Sequence, residues 1–266
     1  MERFEPSYSV VETGEKVRNF VKTNKSEFWK IFKPLFPFIV GLQFLDALIT
    51  HAFFSESEFN FFGGGLLSVY FTMVLSLSWY RVVIHGVHNY TPMNPFKPQR
   101  HELPFIGMGL VIGIFVFLSV SMFKNWGAYI DTLGLSDNVI YTLVCTVIVL
   151  AIYFSYRFSF YFPSKATDSD ITLNEVYQLN YGYLLRLLSV MLLVYWRVVV
   201  LMLVFSLLWA TFFAGIHELF LPSAEHPSLI YFIYILPYIA YFGPLLTVLG
   251  ATVFSNYYLY AVQESN

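Results

Sequence analysis

Six long apolar stretches dominate this chain of 266 residues. They cover residues 37–55, 61–80, 103–123, 139–156, 184–216 and 229–254. An apolar run of about 20 residues is long enough to cross the ~30 Å hydrocarbon layer of a bilayer as an α-helix. A soluble core of this size cannot bury six such runs. The sequence therefore predicts an all-α, polytopic membrane protein with about six transmembrane helices and an N-terminal amphipathic helix at the interface.

Charged residues are sparse and are confined mainly to the segments outside these stretches. They make up 12% of the chain, whereas an ordinary soluble domain has roughly 25%. No segment has the composition of a separate soluble domain. We expect a cytoplasmic N-terminal segment over residues 1–33, a transmembrane domain over residues 34–256 and a short cytoplasmic tail over residues 257–266.

The N-terminal segment predicts an amphipathic helix over residues 14–33, with Thr13 as its N-cap. Apolar residues recur there at helical spacing, and basic residues occupy the other faces. The apolar residues are Val17, Phe20, Val21, Phe28, Ile31 and Phe32, and the basic ones include Lys16, Arg18, Lys22 and Lys25. Such a helix is typical of a segment in the plane of an anionic leaflet. A cytosolic helix packed on the protein's own loops is the alternative.

Basic residues are distributed unevenly between the segments that link the apolar stretches. If the N-terminus is cytoplasmic, thirteen of the fifteen lysines and arginines fall on the cytoplasmic side. Lys124 lies on the opposite side, and Arg197 lies within a stretch. The positive-inside rule therefore predicts that both termini are cytoplasmic.

Arginine follows an aromatic residue at the end of two apolar stretches, in "WYR" at Arg81 and "SYR" at Arg157. An aromatic ring anchors at headgroup depth, and the adjacent arginine reaches lipid phosphate. We therefore expect a set of basic residues to contact lipid headgroups. This set comprises Lys16, Arg18, Lys22, Lys25, Arg81, Arg157 and Arg186.

Arg197 and Asp46 lie inside apolar stretches, where an unpaired charge costs several kcal/mol. If residues 184–216 form one tilted helix, Arg197 lies roughly 16 Å deeper than Arg186. We therefore expect a buried Asp46–Arg197 ion pair between the first and fifth stretches. In the alternative, Arg197 is interfacial, residues 184–196 form a separate interfacial or re-entrant piece, and Asp46 is protonated or solvated by water.

The sequence has no recognisable catalytic motif: it contains no P-loop, no G-x-S-x-G and no C-x-x-C. Two "HEL" triplets lack the second histidine of a zinc-protease motif. Four groups lie near the loop between the second and third stretches, namely His85, His88, His101 and Glu102. They could bind a metal, but we expect solvated interface residues. We expect no catalytic residue, no cofactor and no nucleic-acid partner.

One region resembles known families. Residues 156–188, "YRFSFYFPSKATDSDITLNEVYQLNYGYLLRLL", join an arginine-ended stretch through a proline loop to a short helix. Thr172 and Glu175 form a capping-box pattern there, and "WYRVVIHG" and "HELPFIG" precede it. Residues 79–190 resemble uncharacterised bacterial inner-membrane families of the YciC and DUF975 kind, and the membrane domain fused to some glycerophosphodiester phosphodiesterases. The resemblance implies a six-helix bacterial inner-membrane protein and carries over no catalytic residue.

Two functional classes fit these observations. The favoured one is a non-enzymatic scaffold or accessory subunit that binds anionic lipid, a partner membrane complex or both. The alternative is a small-solute or lipid transporter, in which Asp46 and the Gly- and Pro-rich sixth stretch line the path. Transport is the less favoured class, because a proton or cation pathway needs polar partners on other spans and Asp46 has no such relay.

Overall fold

A computed structural model describes residues 4–53, 64–124, 137–167, 171–220 and 236–265 of the chain. All regular structure within these ranges is helical, which confirms the all-α prediction for them. The α-helices described are α1 (Val10–Thr23), α2 (Lys25–Phe53), α3 (Gly64–His85), α4 (Leu103–Lys124), α5 (Asp137–Arg157), α6 (Tyr161–Ala166), α7 (Leu173–Leu179), α8 (Leu184–Phe220) and α9 (Gly243–Ser265). A 3₁₀ turn at Arg100–Glu102 precedes α4, and a π-helical turn at Tyr238–Phe242 precedes α9.

The long helices lie where the apolar stretches predict them, but the count of membrane spans differs. Three segments in the described part of the chain are long and apolar enough to cross a membrane: Lys25–Leu45, Leu184–Phe212 and Tyr238–Ser265. The expected number of six spans is therefore not supported by this measure, although three apolar helices are compatible with a membrane protein.

The first helix begins earlier than the sequence predicts. α1 starts at Val10, and Ser9 caps it by accepting a hydrogen bond from the backbone N–H of Glu12. Thr13, the expected cap, is fully buried, and its hydroxyl donates to the Ser7 carbonyl at 3.0 Å. The expectation for Thr13 was wrong because the residues before it are also ordered by contacts with the rest of the protein.

The helix expected over residues 14–33 is divided in two at Asn24. This residue departs from helical dihedral angles (φ −96°, ψ 25°), and its side-chain amide donates to the Phe20 carbonyl at 2.9 Å. α2 begins at the next residue and continues without interruption through the expected domain boundary at residue 33. α9 likewise continues through the expected boundary at residue 256.

The apolar side of α1 packs inside the protein. Val17 is fully buried, and the Phe20 ring meets the Trp79 ring of α3 with centroids 6.1 Å apart. α1 also contacts α8 and α9, and a Cβ on Gly14 would lie only 2.6 Å from Leu193 Cδ2 of α8. α1 therefore packs on helices of the protein and not on its loops, and its position in the plane of a leaflet stays a prediction.

α3 lies at the centre of the packed region, where it contacts α2, α4, α6 and α9. Its Trp79 side chain is fully buried and donates from Nε1 to Thr252 Oγ1 of α9 at 2.9 Å. Gly109 and Gly113 of α4 face Met73 and Val69 of α3. Small residues at helix contacts allow such a close approach of two backbones. Among the described residues, the buried ones of α3 lie over 71–84, those of α8 over 187–194 and those of α9 over 244–261, and we call this region the packed end of the bundle.

α8 is one uninterrupted helix over Leu184–Phe220. Of the two readings for this stretch, the single long helix is the one observed. A helix of 37 residues is about 55 Å long, far more than the ~30 Å hydrocarbon layer, even at a tilt of about 40°. If α8 crosses a bilayer, part of it therefore extends beyond the hydrocarbon.

α7 confirms the expected capping box, in which Thr172 and Glu175 bind each other's backbone N–H groups. The backbone and hydroxyl of Thr172 lower the pKa of Glu175. Val176 is the fully buried residue of α7, while Leu173 is exposed. The chain turns into α8 at Gly182, whose φ of +91° favours glycine.

The N-terminal segment before α1 is attached to α9 by Asn256. The Asn256 Oδ1 atom accepts from the Ser7 backbone N–H, and its Nδ2 atom donates to the Ser7 carbonyl, both at 2.8 Å. Nδ2 also lies 3.3 Å from Thr13 Oγ1. Asn256 is fully buried, so the extended backbone before α1 is satisfied by a side chain nearly 250 residues away.

We expect Asn256→Ala to destabilise the folded protein by about 2 to 4 kcal/mol, because it leaves the Ser7 backbone groups without partners. Thermal and denaturant unfolding in detergent would measure the loss. Gln263→Ala, an exposed position on the same helix, is the control and should change stability by less than about 0.5 kcal/mol. Equal effects from both substitutions would contradict this role for Asn256.

Candidate functional site

A groove of about 300 Å³ lies between α1, α2, α8 and α9. Its walls are mainly apolar and include Phe28, Trp29, Val198, Leu245, Val248 and Leu249. Three of the cations expected to contact lipid headgroups also line it: Arg18, Lys22 and Lys25. The groove thus has apolar walls and one positively charged side, an arrangement suited to an amphiphile with an anionic headgroup.

The local structure around Asn24 places these cations together. Lys22 lies in the last turn of α1 and Lys25 is the first residue of α2, so the break between the two helices brings both to the groove. Lys22 and Lys25 are exposed, and Arg18 is half-buried. Across the groove, Tyr241 comes from the π-helical turn. π-helical turns often occur at functional sites.

Lys16, the fourth cation of this segment, has a partner within α1. Its Nζ lies 2.8 Å from Glu12 Oε1, and the Ser7 hydroxyl donates to Glu12 Oε2 at 2.8 Å. These two hydrogen bonds lower the pKa of Glu12, with Lys16 the larger cause. Lys16 is therefore paired with a carboxylate and does not line the groove.

Arg81 does not extend from the protein toward headgroups, contrary to the sequence-based expectation. It is 7% exposed, and its Nη1 lies 2.8 Å from Glu102 Oε1. Nη1 also donates to the Thr91 carbonyl, and Nη2 donates to His101 Nε2, each at 3.2 Å. The ion pair forms because the loop over residues 86–102 folds back onto α3 and brings Glu102 to the arginine.

This loop is attached to the helices at further points. The Ser78 hydroxyl accepts from the Met93 backbone N–H at 3.0 Å, and the Tyr70 hydroxyl donates to the Pro95 carbonyl. The Tyr90 hydroxyl donates to Glu27 Oε2 of α2 at 3.2 Å. Burial, followed by the charge of Glu27, raises the pKa of Tyr90 to about 12. The loop is therefore a fixed part of the structure.

The histidines of this region contact protein groups. His101 Nε2 accepts from Arg81, and His85 Nε2 lies 3.2 Å from the Ala166 carbonyl of α6. Across the ranges the structure describes, no three His, Cys, Asp or Glu side chains lie close enough to hold a metal ion.

Arg157 and Arg186 pack against tyrosine rings. Arg157 is 6% exposed, and its guanidinium carbon lies 4.0 Å from the centroid of the Tyr177 ring. The half-buried Arg186 lies over the Tyr8 ring at 3.1 Å. Hydrogen bonds with Tyr153 and with Arg157 lower the pKa of Tyr177. These cations therefore pack within the protein, and neither lines the groove.

Arg197 is exposed on α8, with its guanidinium 5.5 Å from the Trp196 ring. The side chain of Asp46 lies outside the described residues, so the Asp46–Arg197 pair stays a prediction. The helical register favours an interfacial Arg197, as in the alternative, although residues 184–196 belong to the long helix α8. Val198, the neighbour of Arg197, lines the groove together with Trp29 of α2, and an α-helix rises about 25 Å from residue 29 to residue 46.

Comparison with known proteins gives no relative: no family model, curated protein or solved structure matches this chain. The resemblance to the YciC and DUF975 kind stays a prediction.

The sequence contained an unused indication of the Arg81–Glu102 pair. Both residues adjoin apolar stretches and flank one loop, at a separation of 21 residues. The rule that a charge near hydrocarbon needs a partner predicts the Asp46–Arg197 pair. It predicts a pair of Arg81 with Glu102 equally well. The groove could not be found in this way because it depends on the break at Asn24.

We expect Glu102→Gln to destabilise the protein by roughly 3 kcal/mol, because it leaves the buried Arg81 charge without its counter-ion. Chemical unfolding in detergent would measure the change. Glu15→Gln removes the same charge from an exposed position of α1 and should have little effect. An unfolding free energy for Glu102→Gln equal to that of the control would show that the pair does not hold the loop.

Proposed function

We propose that this protein is a six-span integral membrane protein of the bacterial inner membrane, with both termini cytoplasmic, that acts as a non-enzymatic scaffold or accessory subunit. It binds anionic phospholipid through the groove between α1, α2, α8 and α9. The observation that carries the proposal is the placement of Arg18, Lys22 and Lys25 beside the apolar walls of this groove.

The chemistry of the groove supports an anionic lipid as its occupant. An acyl chain fits the apolar walls, and each basic residue near a membrane surface adds about 1 kcal/mol of attraction for anionic lipid. Among the described residues of α1 and α2, the ion pairs are Lys16–Glu12 and Lys30–Glu27, and neither involves a cation of the groove. The groove cations therefore keep their charge for an external anion.

The position of the groove along α8 supports a headgroup depth for these cations. Val198 lines the groove, and Trp196 and Arg197 precede it. An aromatic residue beside an arginine is typical of the membrane interface. From residue 198 to residue 220, α8 still rises about 33 Å, enough to cross the hydrocarbon. In this placement Arg197 is interfacial and the extra length of α8 lies toward the packed end.

The six-span arrangement rests on the agreement between the long helices and the apolar stretches. Each of α3, α4 and α5 has at least 21 residues, or about 31 Å of helix, which matches the hydrocarbon thickness. In this arrangement the polar loop over residues 86–102 and helices α6 and α7 lie on the same side as α1.

Transport is the second candidate, and the π-helical turn at Tyr238–Phe242 is the observation that favours it. This turn interrupts regular helix geometry where the sixth stretch reaches the groove, and Tyr241 lines the groove. Uptake or export would require lipid or solute to pass along the groove. Movement of a fluorescent lipid between leaflets of a proteoliposome, absent in protein-free vesicles, would favour transport over a static scaffold.

We expect the double variant Lys22→Gln/Lys25→Gln to bind phosphatidylglycerol about thirty-fold more weakly, because it loses about 2 kcal/mol of attraction. Native mass spectrometry and lipid titration of the purified protein would measure this affinity. The double variant Lys33→Gln/Arg100→Gln removes the same charge from exposed positions that do not line the groove. An equal loss in both variants would contradict a site in the groove.

We expect the single cysteine, Cys145, to resist a membrane-impermeant maleimide in open membrane fragments and to react after unfolding in detergent. Cys145 is exposed on α5, and in the six-span arrangement it faces acyl chains about 18 Å from Arg157. The control is Gln263→Cys in a Cys145→Ser background, which places a thiol on the exposed end of α9. Equal labelling of both thiols in open membrane fragments would show that α5 is not a span.

A further inference from the structure

We propose that a second, separate site binds a small soluble oxyanion, such as a phosphorylated or carboxylated molecule. It is a cavity of about 450 Å³ between the end of α3 and the loop over residues 86–102. The lining residues that carry the argument are Arg81, His85, Lys97, Gln99, His101 and Glu102. The volume lies within the range of small-molecule sites.

The charges of the cavity favour an anion. Arg81 and Lys97 are cationic, and Glu102 is the one carboxylate among its lining residues. Both oxygens of that carboxylate are occupied: Oε1 accepts from Arg81 at 2.8 Å, and Oε2 accepts from the Gln99 backbone N–H at 2.7 Å. The pair neutralises one charge, so the positive charge of Lys97 remains for a ligand.

Arg81 is buried, fixed in place and still has donors to offer. A guanidinium has five N–H donors, and three have partners among the described residues, in Thr91, Glu102 and His101. Because arginine cannot accept a hydrogen bond, His101 Nε2 is the acceptor in this contact. Arginine held in this way recognises carboxylate and phosphate groups through paired donors.

The cavity is preorganised by the attachments of its loop. Met93, Pro95 and Tyr90 do not line the cavity, and they are bound to α3 and α2. A ligand therefore meets side chains that are already positioned, which lowers the entropic cost of binding. The polar lining distinguishes this site from the groove, whose apolar walls suit acyl chains.

Thermal unfolding in a neutral detergent, with inorganic phosphate as the probe at constant ionic strength, tests the proposal. Phosphate up to about 50 mM should raise the melting temperature in a saturable way, while chloride should not. Lys97→Gln should raise the apparent Kd for phosphate about tenfold, the cost of one charge-assisted contact. Arg100→Gln, in the same loop but outside the lining, should change it less than twofold.

Further outcomes decide the source of the anion and the location of the site. Equal phosphate protection in nanodiscs of neutral lipid and of phosphatidylglycerol supports a soluble ligand, whereas protection by phosphatidylglycerol alone overturns it. Absence of saturable protection, or an unchanged Kd in Lys97→Gln, overturns the site. The Lys22→Gln/Lys25→Gln variant should retain full phosphate protection, so failure here and failure of lipid binding in the groove are separate results.

Discussion

Backbone that is not helical must find hydrogen-bond partners inside the protein wherever it is buried, because an unpaired buried N–H or C=O group is costly. Three buried side chains meet this requirement at the packed end of the bundle. Asn256 binds both backbone groups of Ser7, Arg81 binds the Thr91 carbonyl, and Asn180 donates to the carbonyls at the end of α5. These bonds attach the N-terminal segment, the 86–102 loop and the turn after α5 to the helices.

The two candidate sites arise from this arrangement. Because Asn256 and the apolar face of α1 hold the N-terminal segment in place, the end of α1 and the start of α2 form one side of the groove. Because Arg81 and Glu102 hold the loop, the polar cavity has a fixed wall. One site suits an amphiphile and the other a soluble anion, and they are lined by different residues. The same end of the bundle thus presents two distinct chemistries.

The sequence was sufficient to predict the helical class and the positions of the long helices, because apolar runs of that length have few other structures available. It also predicted the capping box at Thr172, which depends only on residues three positions apart. The sequence-based predictions were wrong where a partner distant in the sequence determines the position of a side chain. Thr13 is a good cap by type, yet its hydroxyl binds Ser7. Arg81 fits an interfacial pattern, yet it is buried in an ion pair with Glu102.

The break at Asn24 has a mechanical consequence. Lys22 and Lys25 belong to different helices, so the distance between them follows the angle of this joint, whereas two residues of one helix would keep a fixed spacing. α1 is pressed against α8 at Gly14 and joined to α9 through Ser7. If an occupant of the groove favours one angle of this joint, thermodynamic linkage requires that the packing of residues 4–9 favour the occupant by the same free energy.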